Sequence, residues 1–265
     1  MPMPTRGKLR KREILFAVTM GVLATGGAAL VLSDGGPGTE PPPVTALAAP
    51  QTYELGEFTE ISTVGPQDVV VTLGEEFSVR SEGAPEALGL LEVVVDDGEL
   101  VIRPKDQFGR GFNWGRLSGA TYYVTLPSLV GLSMAGSGSV RVDRIEGEEF
   151  SGTIAGSGEL FIAALDVDEF DFSIGGSGNL QAAGTAREAE IAIGGSGEVN
   201  AEGLTAESAS VSIGGSGNVA LTARNEVDVS VFGSGEVNIL GPASCSVSRM
   251  GSGNVRCEGG GGTGD

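Results

Sequence analysis

Between residues 131 and 257, apolar and polar positions alternate in short stretches, and each recurrence is punctuated by Gly-Ser-Gly. The tripeptide begins at Gly136, Gly156, Gly176, Gly195, Gly215, Gly233 and Gly251, at intervals of 18 to 20 residues. Four residues after its first glycine stand Val140, Leu160, Leu180, Val199, Val219, Val237 and Val255, and six after it stand Val142, Ile162, Ala182, Ala201, Leu221, Ile239 and Cys257. Period two is the signature of a strand with one buried face. Counting backwards gives a second strand. Two residues before the glycine are Met134, Ile154, Ile174, Ile193, Ile213, Val231 and Arg249, and four before it are Leu132, Gly152, Phe172, Ile191, Val211, Val229 and Val247. Each repeat therefore predicts strand, turn, strand and a Gly-Ser-Gly corner. A period near 20 residues predicts an all-β solenoid whose coils bury their faces against neighbouring coils.

The corner explains the glycines, which supply positive φ or close backbone approach, and the serine, which can hydrogen-bond nearby backbone. Seven equivalent serines in a chain without histidine do not read as nucleophiles, because a catalytic serine needs one adjacent base. The residue after each corner alternates between acid and amide: Ser139, Glu159, Asn179, Glu198, Asn218, Glu236, Asn254. Coils stacked at about 4.8 Å would keep these carboxylates two levels apart if one repeat makes one coil. Two repeats per coil would put Glu against Glu, which the pattern disfavours without excluding.

Residues 51–130 lack the corner motif but contain strand-like runs at 58–64, 69–73, 77–80, 90–95, 100–103 and 122–126. They are expected to start the solenoid and cap its first coil. Ahead of them, Arg6, Lys8, Arg10, Lys11 and Arg12 precede an apolar run over residues 14–32. That run is long for a signal-peptide core and just long enough to span a bilayer, with the basic end in the cytoplasm. Val31-Leu32-Ser33 and Ala46-Leu47-Ala48 are possible cleavage contexts, and no cysteine is close enough for a lipoprotein anchor. Pro37, Pro41, Pro42, Pro43 and Pro50 mark a polyproline-like spacer. The expected organisation is a signal or anchor segment at 1–33, a linker at 34–56, an N-terminal β region at 57–130, the solenoid at 131–258 and a flexible tail at 259–265.

The formal charge of −19 becomes −21 without the first fifty residues, which hold five basic and three acidic side chains. Such a chain repels phosphate backbones and anionic headgroups, so nucleic acid is not an expected partner. Membrane contact is expected only through residues 14–32. Cys245 and Cys257 occupy inward columns of the last two repeats. Outside the cytoplasm they read as a disulfide pinning the terminal coil, the alternative being two buried thiols; two cysteines without histidine lack a zinc ligand set. One segment departs from the acidic background: residues 105–119 concentrate Phe108, Arg110, Phe112, Trp114 and Arg116. Aromatic and Arg side chains dominate binding hot spots, so these five form the candidate binding loop, although they could equally fold back as a cap.

The ordered blocks FTEISTVGPQDVVVTLGEEFSVRSEGAPEALGLLEVVVDDGELVIRPK, YYVTLPSLVGLSMAGSGSV and GSGEVNILGPASCSVSRMGSGNV resemble the bacterial auto-transporter adhesin head GIN domain family over residues 57–257. The resemblance implies a right-handed parallel β-helix, secreted or envelope-associated, with no catalytic residues to carry over. Two rival chemistries fit poorly. A calcium-binding β-roll needs Asp at a fixed place after its glycines, where GGSGNLQAA, GGSGEVNAE and GGSGNVALT have apolar residues. A polysaccharide-cleaving β-helix needs paired carboxylates with a base, whereas Asp166, Asp168, Asp171, Glu188, Glu190 and Asp228 read as scattered solvated acids. The expected function is a non-enzymatic, extracytoplasmic solenoid without cofactor, in the periplasm or at the cell surface. Its acidic surface would contact an envelope component, glycan or protein in the manner of an adhesin. A glycan-binding or polysaccharide-processing β-helix is the alternative.

Overall fold

The structure, a computed structural model, describes residues 50–105 and 114–259. The apolar run 14–32, most of the proline-rich spacer and residues 260–265 lie outside them. Each predicted run before the repeats finds a counterpart: β2 (Glu60–Gly65), β3 (Asp68–Leu73), β4 (Ser78–Gly83), β5 (Leu91–Asp96), β6 (Glu99–Pro104) and β7 (Ala120–Leu126). Three elements are additional. Gln51–Tyr53, assigned by sequence to the linker, forms β1 and pairs antiparallel with β4. Pro85–Leu90 forms a short helix, α1, with Pro at its start and Glu86 in its first turn, both favourable at a helix N-terminus. Trp114–Leu117 forms a 3₁₀ turn.

The repeats follow as β8 (Gly131–Gly136), β9 (Ser139–Val142), β10 (Ile145–Gly156), β11 (Glu159–Gly176), β12 (Asn179–Gly195), β13 (Glu198–Gly215), β14 (Asn218–Gly233), β15 (Glu236–Leu240), β16 (Ser244–Gly251) and β17 (Asn254–Cys257). All pair in parallel with the next coil. The column Ile154, Ile174, Ile193, Ile213, Val231 is in direct register, so one repeat makes one coil. About six such turns form the stack. Glu159, Asn179, Glu198, Asn218 and Glu236 are consecutive register partners. Acid and amide therefore alternate up the face.

The coil is not strand, turn, strand. β11 runs unbroken for 18 residues, and its buried residues fall into three groups: Leu160 and Ile162, then Leu165 and Val167, then Phe170, Phe172 and Ile174. Two consecutive exposed residues, Ala163–Ala164 and Asp168–Glu169, separate the groups. A pair of outward residues bends the chain while its neighbour stays hydrogen-bonded; the register shift between Ile162 and Leu165 falls where the next repeat is one residue shorter. The segment expected to be a turn is thus a third inward face. At the Gly-Ser-Gly corner the first glycine has positive φ, +131° at Gly156 and +132° at Gly176. The serine contributes its backbone: Ser177 N–H donates to Gly156 O at 2.8 Å, and Ser196 repeats this on Gly176. Among the described residues the corner serine hydroxyls have no partner and point to solvent.

The two ends differ. At the first coil, Gly65-Pro66-Gln67 takes the corner position beneath Gly136. The buried Gln67 side-chain amide donates to Thr63 Oγ1 at 2.7 Å and Val64 O at 3.1 Å. Antiparallel pairs β4–β7 and β5–β6 then cover this end, with Leu88 of α1 and Leu117 buried beneath them. At the far end, β16 pairs only with β14 and β17 only with β15 among the described residues. Cys245 and Cys257 are joined by a disulfide that ties β16 to β17.

Candidate functional site

Of the five residues in the basic aromatic loop, Phe108, Arg110 and Phe112 lie outside the described residues. Trp114 opens the 3₁₀ turn. Arg116 is exposed, with Nη2 4.0 Å from Glu86 Oε2 on α1.

Sequence reasoning read the acid and amide ladder at each corner as an outward column but did not single out its face as a candidate site. The first outward column of this face is the ladder itself. The second, two residues further on, runs Arg141, Phe161, Gln181, Asn200, Ala220, Asn238, Arg256 in register. Two shallow depressions lie on this face. One, of about 100 Å³, is lined by Ser139, Arg141, Glu159, Phe161 and Gln181. The other, of about 200 Å³, is lined by Glu159, Asn179, Gln181, Glu198 and Asn200. They share Glu159 and Gln181 and so form one continuous surface across four coils. Phe161 is 37% exposed, one of three large apolar side chains left open to solvent among the described residues. Ser139 Oγ donates to Asp68 Oδ1 at 2.7 Å, extending the ladder to the first coil. Amide donors, carboxylate acceptors and one aromatic ring suit a polyhydroxylated or amide-bearing ligand. The signal was present in the residue between the two apolar columns, but alternation alone made it look like filler.

The acids of the opposite strand are not scattered. Glu149, Glu169 and Glu188 are register partners in three successive coils, and Asp171 stacks with Glu190 beside them. Arg187 answers part of this charge, with Nε 3.5 Å from Asp168 Oδ1 and Nη2 4.0 Å from Glu169 Oε1. Where the ladder meets the cap, Glu60, Glu99, Glu149 and Asp171 line a groove of about 310 Å³ floored by Gly131 and Ser133. Among the described residues no group of three or more His, Cys, Asp or Glu could hold a metal ion. Tyr122 has its phenol pushed well above the ordinary range, first by burial and then by the neighbouring Tyr53. It is a protonated core residue at the capped end.

A stacked β-solenoid with registered outward columns belongs to the class of repetitive surface-presenting folds. The chain belongs to the family described as "Putative auto-transporter adhesin, head GIN domain", whose model matches residues 57–243. Three solved structures share the fold. A "putative adhesin" from Bacteroides fragilis is 23% identical with a TM-score of 0.71, over 80% of this chain and 97% of that one. A "putative lipid binding protein" from Parabacteroides distasonis is 23% identical with a TM-score of 0.64, over 78% and 96%. A "putative adhesin" from Parabacteroides merdae is 18% identical with a TM-score of 0.63, over 79% and 95%. No curated protein matches the chain.

Proposed function

We propose that the chain is a non-enzymatic, adhesin-like module that works outside the cytoplasm by holding a rigid, acidic, repetitive surface against an envelope glycan or protein. The observation that carries this reading is the Ser139-to-Asn254 face, where outward side chains recur in register and one ring, Phe161, stands exposed among amides and acids. Repeated weak contacts gain affinity by adding along the stack. Aromatic rings pack on the apolar faces of sugars while amides and carboxylates take the hydroxyls. Among the described residues no helix is long and apolar enough to cross a membrane; the apolar run over residues 14–32 is the segment proposed to tether the domain, as anchor or as cleaved signal. The remaining organisation is a spacer, a capping region from 57, a right-handed solenoid from 131 to 258, and a tail.

The experiment is binding of the protein to arrayed glycans and purified envelope fractions, comparing wild type with Phe161→Ala and Trp114→Ala. Loss with Phe161→Ala assigns the ladder face. Loss with Trp114→Ala moves recognition to the loop containing Phe108, Arg110, Phe112 and Arg116. Absence of binding by wild type sinks both, and release of new reducing or unsaturated ends from envelope polysaccharide would replace the reading by an enzymatic one.

A further inference from the structure

The inward-and-outward logic of the coils breaks down at β16. In the strands it continues, two outward columns carry acids: Glu149, Glu169, Glu188, Ser208, Glu226, Ser244, and Ser151, Asp171, Glu190, Ser210, Asp228, Ser246. At the edge strand both columns end in serine, and the third ends in Ser248. The strand reads Ser-Cys-Ser-Val-Ser-Arg-Met-Gly, without one acid, in a chain of net charge −19. Residues 236–259 as a whole are balanced, with Glu236 and Glu258 against Arg249 and Arg256. Met250 is 69% exposed and Phe232, its register partner on β14, is 53% exposed. Val247 is only partly buried against the core.

Edge strands are ordinarily protected by charge or cover, because their unpaired N–H and C=O groups template another strand. The opposite edge of the same sheet follows that rule with two acids: β5, which pairs only with β6 among the described residues, carries Glu92 and Asp96, whereas β16 carries the single charge of Arg249. Antiparallel pairing of two β5 strands about Val94 would set Glu92 against Asp96 at both ends. Antiparallel pairing of two β16 strands about Val247 sets Ser246 against Ser248, Ser244 against Met250 and Cys245 against Arg249, with no like charges opposed. The disulfide holds β16 to β17 and so presents the edge preformed. This end of the stack is also the one remote from β1, where the chain enters.

We propose that β16 is a self-recognition edge, through which two copies of this chain join by antiparallel pairing about a two-fold axis at Val247. A closed, isologous contact of this kind is the commonest form of homo-oligomer, and strand addition draws its affinity from main-chain hydrogen bonds. It uses a different surface from the ladder face, so either can fail alone.

The test is sedimentation equilibrium of the full chain in mild detergent, from low micromolar to sub-millimolar protein. The expected result is a monomer–dimer equilibrium whose dissociation constant rises at least about tenfold in Ser246→Asp. That substitution suits the monomer, because Asp171 and Glu190 already stack in the same column. Should it nevertheless perturb the circular dichroism spectrum, Met250→Lys, at a fully outward position, serves instead. Val94→Lys on β5 is expected to leave the dimer intact. A chain monomeric throughout, a dimer indifferent to both β16 variants, or one dissociated by Val94→Lys would each overturn the proposal.

Discussion

Gly152 and Phe172 are register partners in adjacent coils, and the phenylalanine occupies the volume the glycine leaves open. A Cβ at Gly152 would fall 2.5 Å from Phe172 Cδ2 and 3.3 Å from Phe150 Cε1. Phe150, Phe170 and Phe172 stack through this layer with centroids 6.0 and 6.1 Å apart. The one glycine in an otherwise apolar column is thus the complement of its largest member.

Substitution should therefore be non-additive. Gly152→Ala overpacks a filled site and is expected to cost about 1–3 kcal/mol, while Phe172→Ala opens a cavity and is expected to cost about 3–5 kcal/mol. Gly152→Ala combined with Phe172→Ala relieves the overpacking and fills part of the cavity, and should cost less than the sum of its singles. Urea unfolding of the four proteins measures the coupling; simple additivity would show that the two residues do not share a volume.

Adjacent glycines at one corner are predicted to respond in opposite ways. Gly175 has nothing closer than Ile154 O at 4.0 Å, and Ala135 and Ala155 already occupy its column. Gly175→Ala should be neutral within about 0.5 kcal/mol. Gly176 has φ +132°, and a Cβ there would collide with Gly156 O. Gly176→Ala should cost at least the roughly 1–3 kcal/mol of backbone strain, seen as a lower thermal midpoint. Equal midpoints would mean that the corner relaxes freely.

The two outer faces, the corner and the one-repeat coil were legible because each depends on a local rule: period two for the strands, positive φ for the first glycine, like-charge separation for Glu159 and Glu198. The third face was not. Leu165 and Val167 lie between outward pairs, and nothing in a single repeat distinguishes a two-residue bend from a turn; only the register with β12 does. The serine at the corner was assigned a side-chain role, whereas its N–H does the bonding, a distinction invisible in residue type. Phe161 was passed over because it sits in an outward column between Arg141 and Gln181, where alternation alone does not distinguish an exposed ring from a polar residue.

Alkaline conditions should weaken the fold through Tyr122. Its phenol is neutral in the folded protein and held above its ordinary value by burial, while in the unfolded chain it ionises near 10. The unfolded state therefore loses this proton first. The contribution of the neutral buried phenol is complete below about pH 10 and declines above it as the unfolded state ionises. Denaturant midpoints measured at pH 9 and at about pH 11 should separate more for wild type than for Tyr122→Phe. The same separation in both would place the alkaline sensitivity elsewhere.

Reduction should act on one end of the stack. In a solenoid each coil touches only its neighbours, so losing a link in the last coil propagates weakly. Cys245 and Cys257 are 12 residues apart, and a crosslink over a loop of that size contributes about 3 kcal/mol by restricting the unfolded chain. Replacing both by serine also removes apolar contacts at the end of the core, where Cys245 is buried and Cys257, Val247 and Val255 are partly buried. Amide exchange should accelerate at Val237, Ile239 and Val247 while Ile174 and Ile193, several coils away, keep their protection. Uniform acceleration along the chain would show that the stack unfolds as one cooperative unit, with the disulfide setting the stability of the whole solenoid.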